Sequence, residues 1–332
     1  FSLMVKEIIR WLELILVSFL TINLITDYKK TRVILYSVVL TTSIVSLCGV
    51  INYLSIDMVA RASSFFGNPN PFAGYVGLVV PVLFGMMMTS TFYWERIVLG
   101  TAAVFSILAW FLAFSRSAIL SLVLTMILVL FLAQVNKKIV ILVTIVFTIF
   151  AVTFLSSNLK IKDRVGLSLI RDNMELRAMC YPIGYDLVKD DMILGIGIGN
   201  YPLCIKALVN KVLSHRGDLV QRRLECGDLT VQEHLHNLYL QLFVETGLMG
   251  LCSFIFWLAC IIRYLMSALK SFENSRNYNL FVGLIGGVIV YLLNNLTDIL
   301  MVHGIHLQWG IILGLAVVLT QLRESETGSK VA

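Results

Sequence analysis

Apolar runs of about 20 residues recur from one end of this chain to the other, and that length is what an α-helix needs to cross a bilayer. They read approximately as Ile8–Thr26, Val33–Leu54, Phe72–Phe92, Ile97–Phe114, Ala118–Val135, Ile139–Leu155, Leu238–Ile262, Leu280–Leu300 and Ile305–Leu322. With 58% hydrophobic and only 14% charged residues, a soluble domain is excluded. The expected class is an all-α, polytopic helical membrane protein with about nine transmembrane helices and one long extracytoplasmic loop that itself contains helices. The expected divisions are a transmembrane bundle of about six helices over residues 1–155, an extracytoplasmic (periplasmic) loop over 156–237, further transmembrane helices over 238–322, and a cytoplasmic tail over 323–332. The chain opens on Phe1 rather than Met, and the expectation is that its N-terminus is truncated.

The basic residues sort the loops. Lys29, Lys30 and Arg32 follow the first span, Arg96 the third, Lys137 and Lys138 the fifth, Arg263, Lys270 and Arg276 the seventh, and Arg323 and Lys330 the last. The short loops between them carry only Arg61 and Arg116. The positive-inside rule makes the first set cytoplasmic. It also accounts for the net charge of +6, which therefore gives no reason to expect nucleic acid. Lys6 and Arg10 then fall on the outer side, against the rule. The Asn68-Pro69-Asn70-Pro71 turn with Arg61, Ser115-Arg116-Ser117, the 156–237 segment and His303-Gly304-Ile305-His306 all land on that same outer side.

The polar segment ends in Glu233-His234-Leu235-His236-Asn237, just where an apolar helix begins. A histidine at a water–membrane boundary can titrate near neutral pH and accept a proton from a hydroxyl. At helical spacing Asn237, Gln241 and Glu245 share a face, so the helix enters the membrane with a polar stripe. The same pattern also suits a helix that buries polar groups against its neighbours. Asn294 and Asp298, four apart, are expected on one face near the outer end of the eighth span. Asp298 could orient His236, pair with an outer arginine, or act as a structural clamp. Arg116, flanked by apolar spans, is either a site residue or a surface arginine in a hairpin loop.

Within the polar segment, Asp172-x-x-Glu175 has the form of a capping box. It would start a helix with Leu176, Met179, Ile183 and Leu187 as its apolar stripe and Arg177 in its first turns. That helix should end before Gly195-Ile196-Gly197-Ile198-Gly199-Asn200, which lacks the spacing and the preceding strand of a nucleotide-binding loop. Residues 201–230 read as a lid or docking loop, with Arg216, Arg222 and Arg223 available to an anionic partner. Cys180, Cys204 and Cys226 would be compatible with one disulfide, Cys204–Cys226 among the candidates, but spacing does not fix a pairing. Cys204, His215, Cys226 and His234 fit no zinc spacing, so no metal site is expected.

Four pieces then stand in order: Arg61-x5-Gly67-Asn68-Pro69-Asn70; Ser115-Arg116-Ser117; Arg177 followed by Leu194-Gly195-Ile196-Gly197-Ile198-Gly199-Asn200-Tyr201; and His236-Asn237-x-Tyr239-Leu240-Gln241-x3-Glu245-x-Gly247-x2-Gly250. In that order the chain resembles the O-antigen ligase superfamily, which comprises O-antigen ligases, O-antigen polymerases and protein O-oligosaccharyltransferases. The resemblance covers roughly residues 60–251 and the two helices that follow.

The resemblance implies metal-independent glycosyl transfer without a cofactor, at the outer (periplasmic) face of a bacterial inner membrane. The donor would be a glycan on a polyprenyl pyrophosphate, and the acceptor a hydroxyl of lipid A–core or another glycan. It implies His236 as the base, and Arg177, Arg116 and Arg61 as pyrophosphate contacts. Asn237, its neighbour in the motif, would bind or position substrate. The residue chemistry agrees. A departing pyrophosphate needs positive charge, which arginine offers as a planar fork, and a sugar hydroxyl benefits from a positioned base. No carboxylate pair of the glycosidase kind stands out. Two other classes remain to be tested. A transporter would place charges along mid-membrane helices and repeat its halves. A non-catalytic envelope-assembly partner would tolerate loss of His236 and Arg177.

Overall fold

The structure, a computed structural model, describes residues 2–55, 61–134, 181–205, 207 and 234–328. Its main elements are α1 (Ser2–Leu24), α2 (Tyr28–Ser55), a 3-10 turn (Ser64–Phe66), α3 (Pro69–Thr89), α4 (Tyr93–Leu112), α5 (Arg116–Leu132), α6 (Leu238–Ser271), α7 (Tyr278–Asn294) and α8 (Ile305–Thr327). No strand occurs among the described residues. The helices α2, α3, α4, α6 and α8 are long and apolar enough to cross a membrane, while α5 and α7 are shorter apolar helices. The expected all-helical membrane class therefore holds. The expected span over residues 139–155 lies outside the described residues.

Two helix limits near the polar residues differ from expectation. The seventh apolar run extends well past Ile262, giving a 34-residue α6 that ends at Ser271. The eighth run was expected to reach Leu300, but α7 stops at Asn294. Asn294-Asn295-Leu296-Thr297-Asp298 is the cause: short polar side chains compete with the backbone for hydrogen bonds and favour turns. Asp298 does so here, its carboxylate accepting from the Ile299 N–H at 2.9 Å. Asn294 and Asp298 therefore do not share a helical face.

The chain divides into two compact units. One contains residues 12–149, 260–294 and 300–332. Its centre is α3 against α7. Phe72, Ala73, Val76, Leu78, Val79 and Leu83 of α3 and Phe281, Val282 and Leu284 of α7 are fully buried. Close approach between these helices depends on small residues, as helix pairs in lipid usually do. A Cβ on Gly283 would lie 2.5 Å from the Pro81 carbonyl oxygen, and one on Gly85 2.5 Å from that of Asn279. Stacked rings reinforce the packing: Phe272 on Phe281 at 4.3 Å and Tyr291 on Trp309 at 4.5 Å. The start of α8 carries His306, buried, whose Nε2 lies 3.0 Å from Glu13 Oε2.

The other unit contains residues 1–11, 150–259 and 295–299. Among its described residues, 181–188 are helical, and its core is Val188, Tyr201, Ile205, Leu235 and Val244. Ile183 and Leu187 pack on this core, as the helical stripe through them predicts, while the 172–180 part of that expected helix lies outside the described residues. Lys6 and Arg10, misplaced by the positive-inside rule, belong to this unit rather than to the helical bundle. Arg10 pairs with Glu7.

This unit also contains the break in α6. Gly247 adopts φ 64°, ψ −167°, which is not helical. In a continuous helix the Leu248 and Met249 N–H groups would donate to the Val244 and Glu245 carbonyls. Instead Leu248 donates to Met192 O (2.8 Å) and Met249 to Ile193 O (3.3 Å). The two freed carbonyls accept from Ile196 and Gly197, both at 2.9 Å. The glycine-rich loop thus replaces the missing helical bonds. Both partners must be bare for it to do so. A Cβ on Gly247 would sit 2.1 Å from Ile193 O, and one on Gly195 (φ +74°) 2.6 Å from the Gly247 nitrogen.

Gly283→Ala should lower the stability of the purified protein by about 1–3 kcal/mol, the usual cost of forcing a methyl into a packed contact. Thermal unfolding in detergent checks this, with Gly100→Ala as its partner. A Cβ there meets only the flexible end of Met87, at 3.5 Å, so the midpoint should hold or rise with the better helix propensity. Gly247→Ala should cost about 1–3 kcal/mol from its positive φ alone. It should also release the loop, read as faster amide hydrogen exchange over residues 192–197; protection equal to the wild type would refute the loop's dependence on the break.

Candidate functional site

Asn237 opens α6. Its Oδ1 accepts from the Leu240 N–H at 3.0 Å, the N-cap bond to the third helical residue. Its Nδ2 donates to Leu296 O at 2.9 Å. Next to it, the Leu238 N–H donates to Asn295 O at 2.9 Å. The segment that follows α7 is thereby sewn to the start of α6. That stitching delivers Asp298 to His236, with Nδ1 and Oδ1 3.5 Å apart. The pair is 25% and 11% exposed, respectively, so the carboxylate is sheltered and the imidazole reachable.

His236 itself sits at φ 54°, a left-handed conformation that costs a non-glycine residue about 1–3 kcal/mol. Its neighbours hold it there. On one side the Leu235 N–H donates to Gln241 Oε1 at 2.9 Å, and on the other Asn237 is tied as described. The polar stripe expected on α6 is real and works as a brace. Gln241 Nε2 donates to Glu245 Oε1 at 2.7 Å, and that oxygen accepts from the buried Tyr201 N–H at 3.4 Å. The Gly195–Tyr201 run, the His236 segment and the Glu245-Thr246-Gly247 run thus form one folded object. Cys204 lies alongside as a free thiol, pushed up from its usual pKa by burial and, second, by the Glu245 carboxylate. Cys180, Cys226 and Arg177 lie outside the described residues.

The arginines of the helical bundle make a second arrangement, within their own unit. Arg61 is exposed, and its Nε donates to Ala113 O at 2.8 Å while Nη2 donates to Asn70 Oδ1 at 2.8 Å. The neighbouring Ala62 N–H donates to Leu112 O at 2.9 Å. These carbonyls end α4, where the helix dipole favours a cation. Asn68 caps α3 by accepting from the Asn70 N–H at 2.9 Å, with Pro69 at the first helical position. The turn that Arg61 grips leads into Ser115 and then Arg116, the exposed first residue of α5. One helix N-terminus without a side-chain cap, that of α5, and two guanidinium groups are therefore found on short stretches, a combination suited to phosphate oxygens. Phe66 bridges this region to His303 edge-on at 5.8 Å; His303 is exposed and, like Phe114 and Ser64, has positive φ.

Sequence reasoning singled out His236, Asn237, Arg61 and Arg116, which all lie among the described residues, and left Asp298 among three alternatives. The signal for its contact with His236 was the Asn-Asn-Leu-Thr-Asp run, read as helix when it marks the end of one. His306, grouped with the outer polar features, is instead buried against Glu13.

Residues 101–255 match the Wzy_C family, described as O-antigen ligase. No curated protein matches the chain. The matched stretch begins in α4, takes in Ser115-Arg116-Ser117, the Gly195–Tyr201 run and His236-Asn237, and ends in α6 beyond the Gly247 break. Over that stretch, just under half of the chain, this membrane protein is similar to the O-antigen ligase family, which points to ligase- or polymerase-type glycosyl transfer in envelope polysaccharide assembly.

Proposed function

We propose that the protein transfers a glycan from a polyprenyl-pyrophosphate carrier to an acceptor hydroxyl, that of lipid A–core in the ligase reading, at the outer face of the inner membrane and without a metal ion. The observation that carries this reading is the His236–Asp298 pair, set at the mouth of a membrane helix, with His236 inside the family-matched stretch. With the Asp298 carboxylate holding the proton on Nδ1, the other ring nitrogen is left as the acceptor. It takes the acceptor's hydroxyl proton as the oxygen attacks the anomeric carbon. The bond from that carbon to the pyrophosphate oxygen breaks, and the pyrophosphate leaves with the electron pair.

Arginines receive that charge. Arg177 and Arg116 contact the pyrophosphate, and Arg61 adds its charge to the same set while fixing the turn before Arg116. Asn237 positions the base and the substrate beside it. The proposed layout places residues 1–155 and 238–322 in the membrane, 156–237 outside and 323–332 in the cytoplasm.

The test is transfer of a labelled glycan from polyprenyl pyrophosphate by the purified protein, offered lipid A–core, free repeat units and an acceptor protein in parallel. Product on lipid A–core identifies a ligase, on repeat units a polymerase, and on protein an O-oligosaccharyltransferase. His236→Ala should lose about 10²–10⁴-fold, the usual contribution of general base catalysis, with the protein still in the membrane. Unchanged transfer by that variant sinks the catalytic assignment, and absence of transfer to every acceptor by intact wild type favours a transporter or a non-catalytic partner.

Asp298→Asn should also fall, because the imidazole loses the carboxylate that orients it. Asn237→Ala should be milder in rate and cost about 1 kcal/mol of stability through the lost cap. Arg177→Lys should be severely impaired, since lysine keeps the charge but loses the fork; near-normal transfer would remove Arg177 from the site.

A further inference from the structure

The loop that fills the break in α6 has two apolar sides. Ile196 faces inward and packs on the Val188–Tyr201–Val244 core. Ile193 and Leu194 face outward, 61% and 63% exposed. Beside them, joined through the backbone bonds across the break, are Leu248 and Met249, 46% and 61% exposed. Four large aliphatic side chains thus form one contiguous outward patch. Three residues earlier the character changes: Asp186 and Lys189 make an exposed ion pair at 3.2 Å, followed by exposed Asp190 and Asp191.

The patch is continuous with a surface whose occupant is already set by the fold class. Beyond Gly247, α6 is a candidate membrane span with most of its surface unburied. Its exposed face runs from Leu248 and Met249 through Cys252 to Ile255 and Phe256. Ile193 and Leu194 widen that lipid-facing stripe at its upper end.

Irregular backbone is normally kept out of lipid because its polar groups would be orphaned. Here they are used. The Leu194 N–H donates to Asp191 Oδ1, Gly195 to Asp191 O, Ile196 to Val244 O and Gly197 to Glu245 O, while the Met192 and Ile193 carbonyls accept from Leu248 and Met249. With these six backbone groups engaged, covering the loop with acyl chains costs less than it would for an open loop.

We propose that Ile193 and Leu194 insert into the acyl region of the leaflet that α6 enters at Gly247, so that the glycine-rich loop is a membrane anchor. The partner is the lipid bilayer. Asp186, Lys189, Asp190 and Asp191 mark the water side of the boundary, and the change from charge to aliphatic over Asp191–Ile193 sets the depth. His236 is then held within about 20 Å of the acyl boundary by the short first segment of α6. The anchor stands whether or not the glycan-transfer reading holds.

Spin labels at positions 189, 193, 194 and 256, on the full chain with its other cysteines replaced, test this in nanodiscs of phosphatidylcholine and phosphatidylglycerol. Oxygen, which concentrates among acyl chains, should relax the labels at 193 and 194 several-fold more than a water-soluble nickel chelate does, as at 256, with the order reversed at 189. Chelate access at 193 and 194 equal to that at 189 would overturn the anchor. Shielding from both reagents would overturn it too, since it would mean a protein cover.

A second measurement keeps all six cysteines: a benzophenone side chain introduced at Leu194 and irradiated in the same nanodiscs. Capture of phospholipid, read as an intact-mass increase, supports the anchor. Capture of protein alone, or of nothing, refutes it.

Discussion

A polypeptide that enters lipid must hydrogen-bond its own backbone, and an unpaired N–H or C=O costs about 1–3 kcal/mol even by the lower, mutational measure. The organisation of this protein follows from how it meets that demand where a helix is interrupted. At Gly247 the two helical bonds that would join Leu248 to Val244 and Met249 to Glu245 are exchanged for four bonds to residues 192–197. The exchange leaves no cost of orphaned groups to recover, so the direction of α6 can change at Gly247. It also explains why the glycine-rich run and the Glu245-Thr246-Gly247 run occur together although some 50 residues separate them: each supplies the bonds the other lacks, and neither can carry a Cβ at the point of contact.

Energetic comparison also shows how His236 can be strained and still ordered. Its left-handed backbone costs about 1–3 kcal/mol. Against that stand the Leu235–Gln241, Asn237–Leu296 and Leu238–Asn295 bonds, each contributing about 0.5–1.5 kcal/mol net. Three such bonds are sufficient to hold the residue in place, and they do so from both sides of it. The imidazole is then carried by backbone whose bonds His236→Ala leaves in place. Positive-φ residues outside glycine recur in the bundle at Ser64, Phe114, Asn274 and His303. Phe114 adjoins the turn gripped by Arg61, and His303 touches Phe66. Strain is thus concentrated where loops meet rather than spread through the helices.

Much of this was legible in the sequence because membrane helices announce themselves by length and apolarity, properties read locally. Asn237, Gln241 and Glu245 announced a polar stripe by spacing alone, and the stripe exists. What spacing could not convey was its use: Gln241 and Glu245 turn inward to bond Leu235 and Tyr201, partners fixed only by the chain's return. The end of α7 was misread for a related reason. Hydropathy averages over the Asn294–Asp298 run, because Leu296, Ile299 and Leu300 keep the window apolar. The backbone responds to each residue separately: α7 ends at Asn294, and beyond it Asp298 bonds the next N–H. The contact between Asp298 and His236 follows from that stop, so one misplaced helix end concealed the most informative pair in the molecule.

The charged residues of α1 show the same limit of local rules from the other direction. Counted as a membrane span, α1 carries Lys6 and Arg10 on the wrong side. In the folded chain its first eleven residues belong with the polar segment. A Cβ on Gly199 would meet Leu3 and Met4 within 2.9 Å, so the loop rests on that part of the helix. The remainder of α1 lies in the bundle, where Gly310 and Gly314 of α8 approach Leu14, Ser18 and Thr21. One helix therefore serves a polar unit with its first turns and a membrane bundle with the rest. The positive-inside rule concerns the short loops that flank spans, and residues already committed to a folded polar unit fall outside its physical basis.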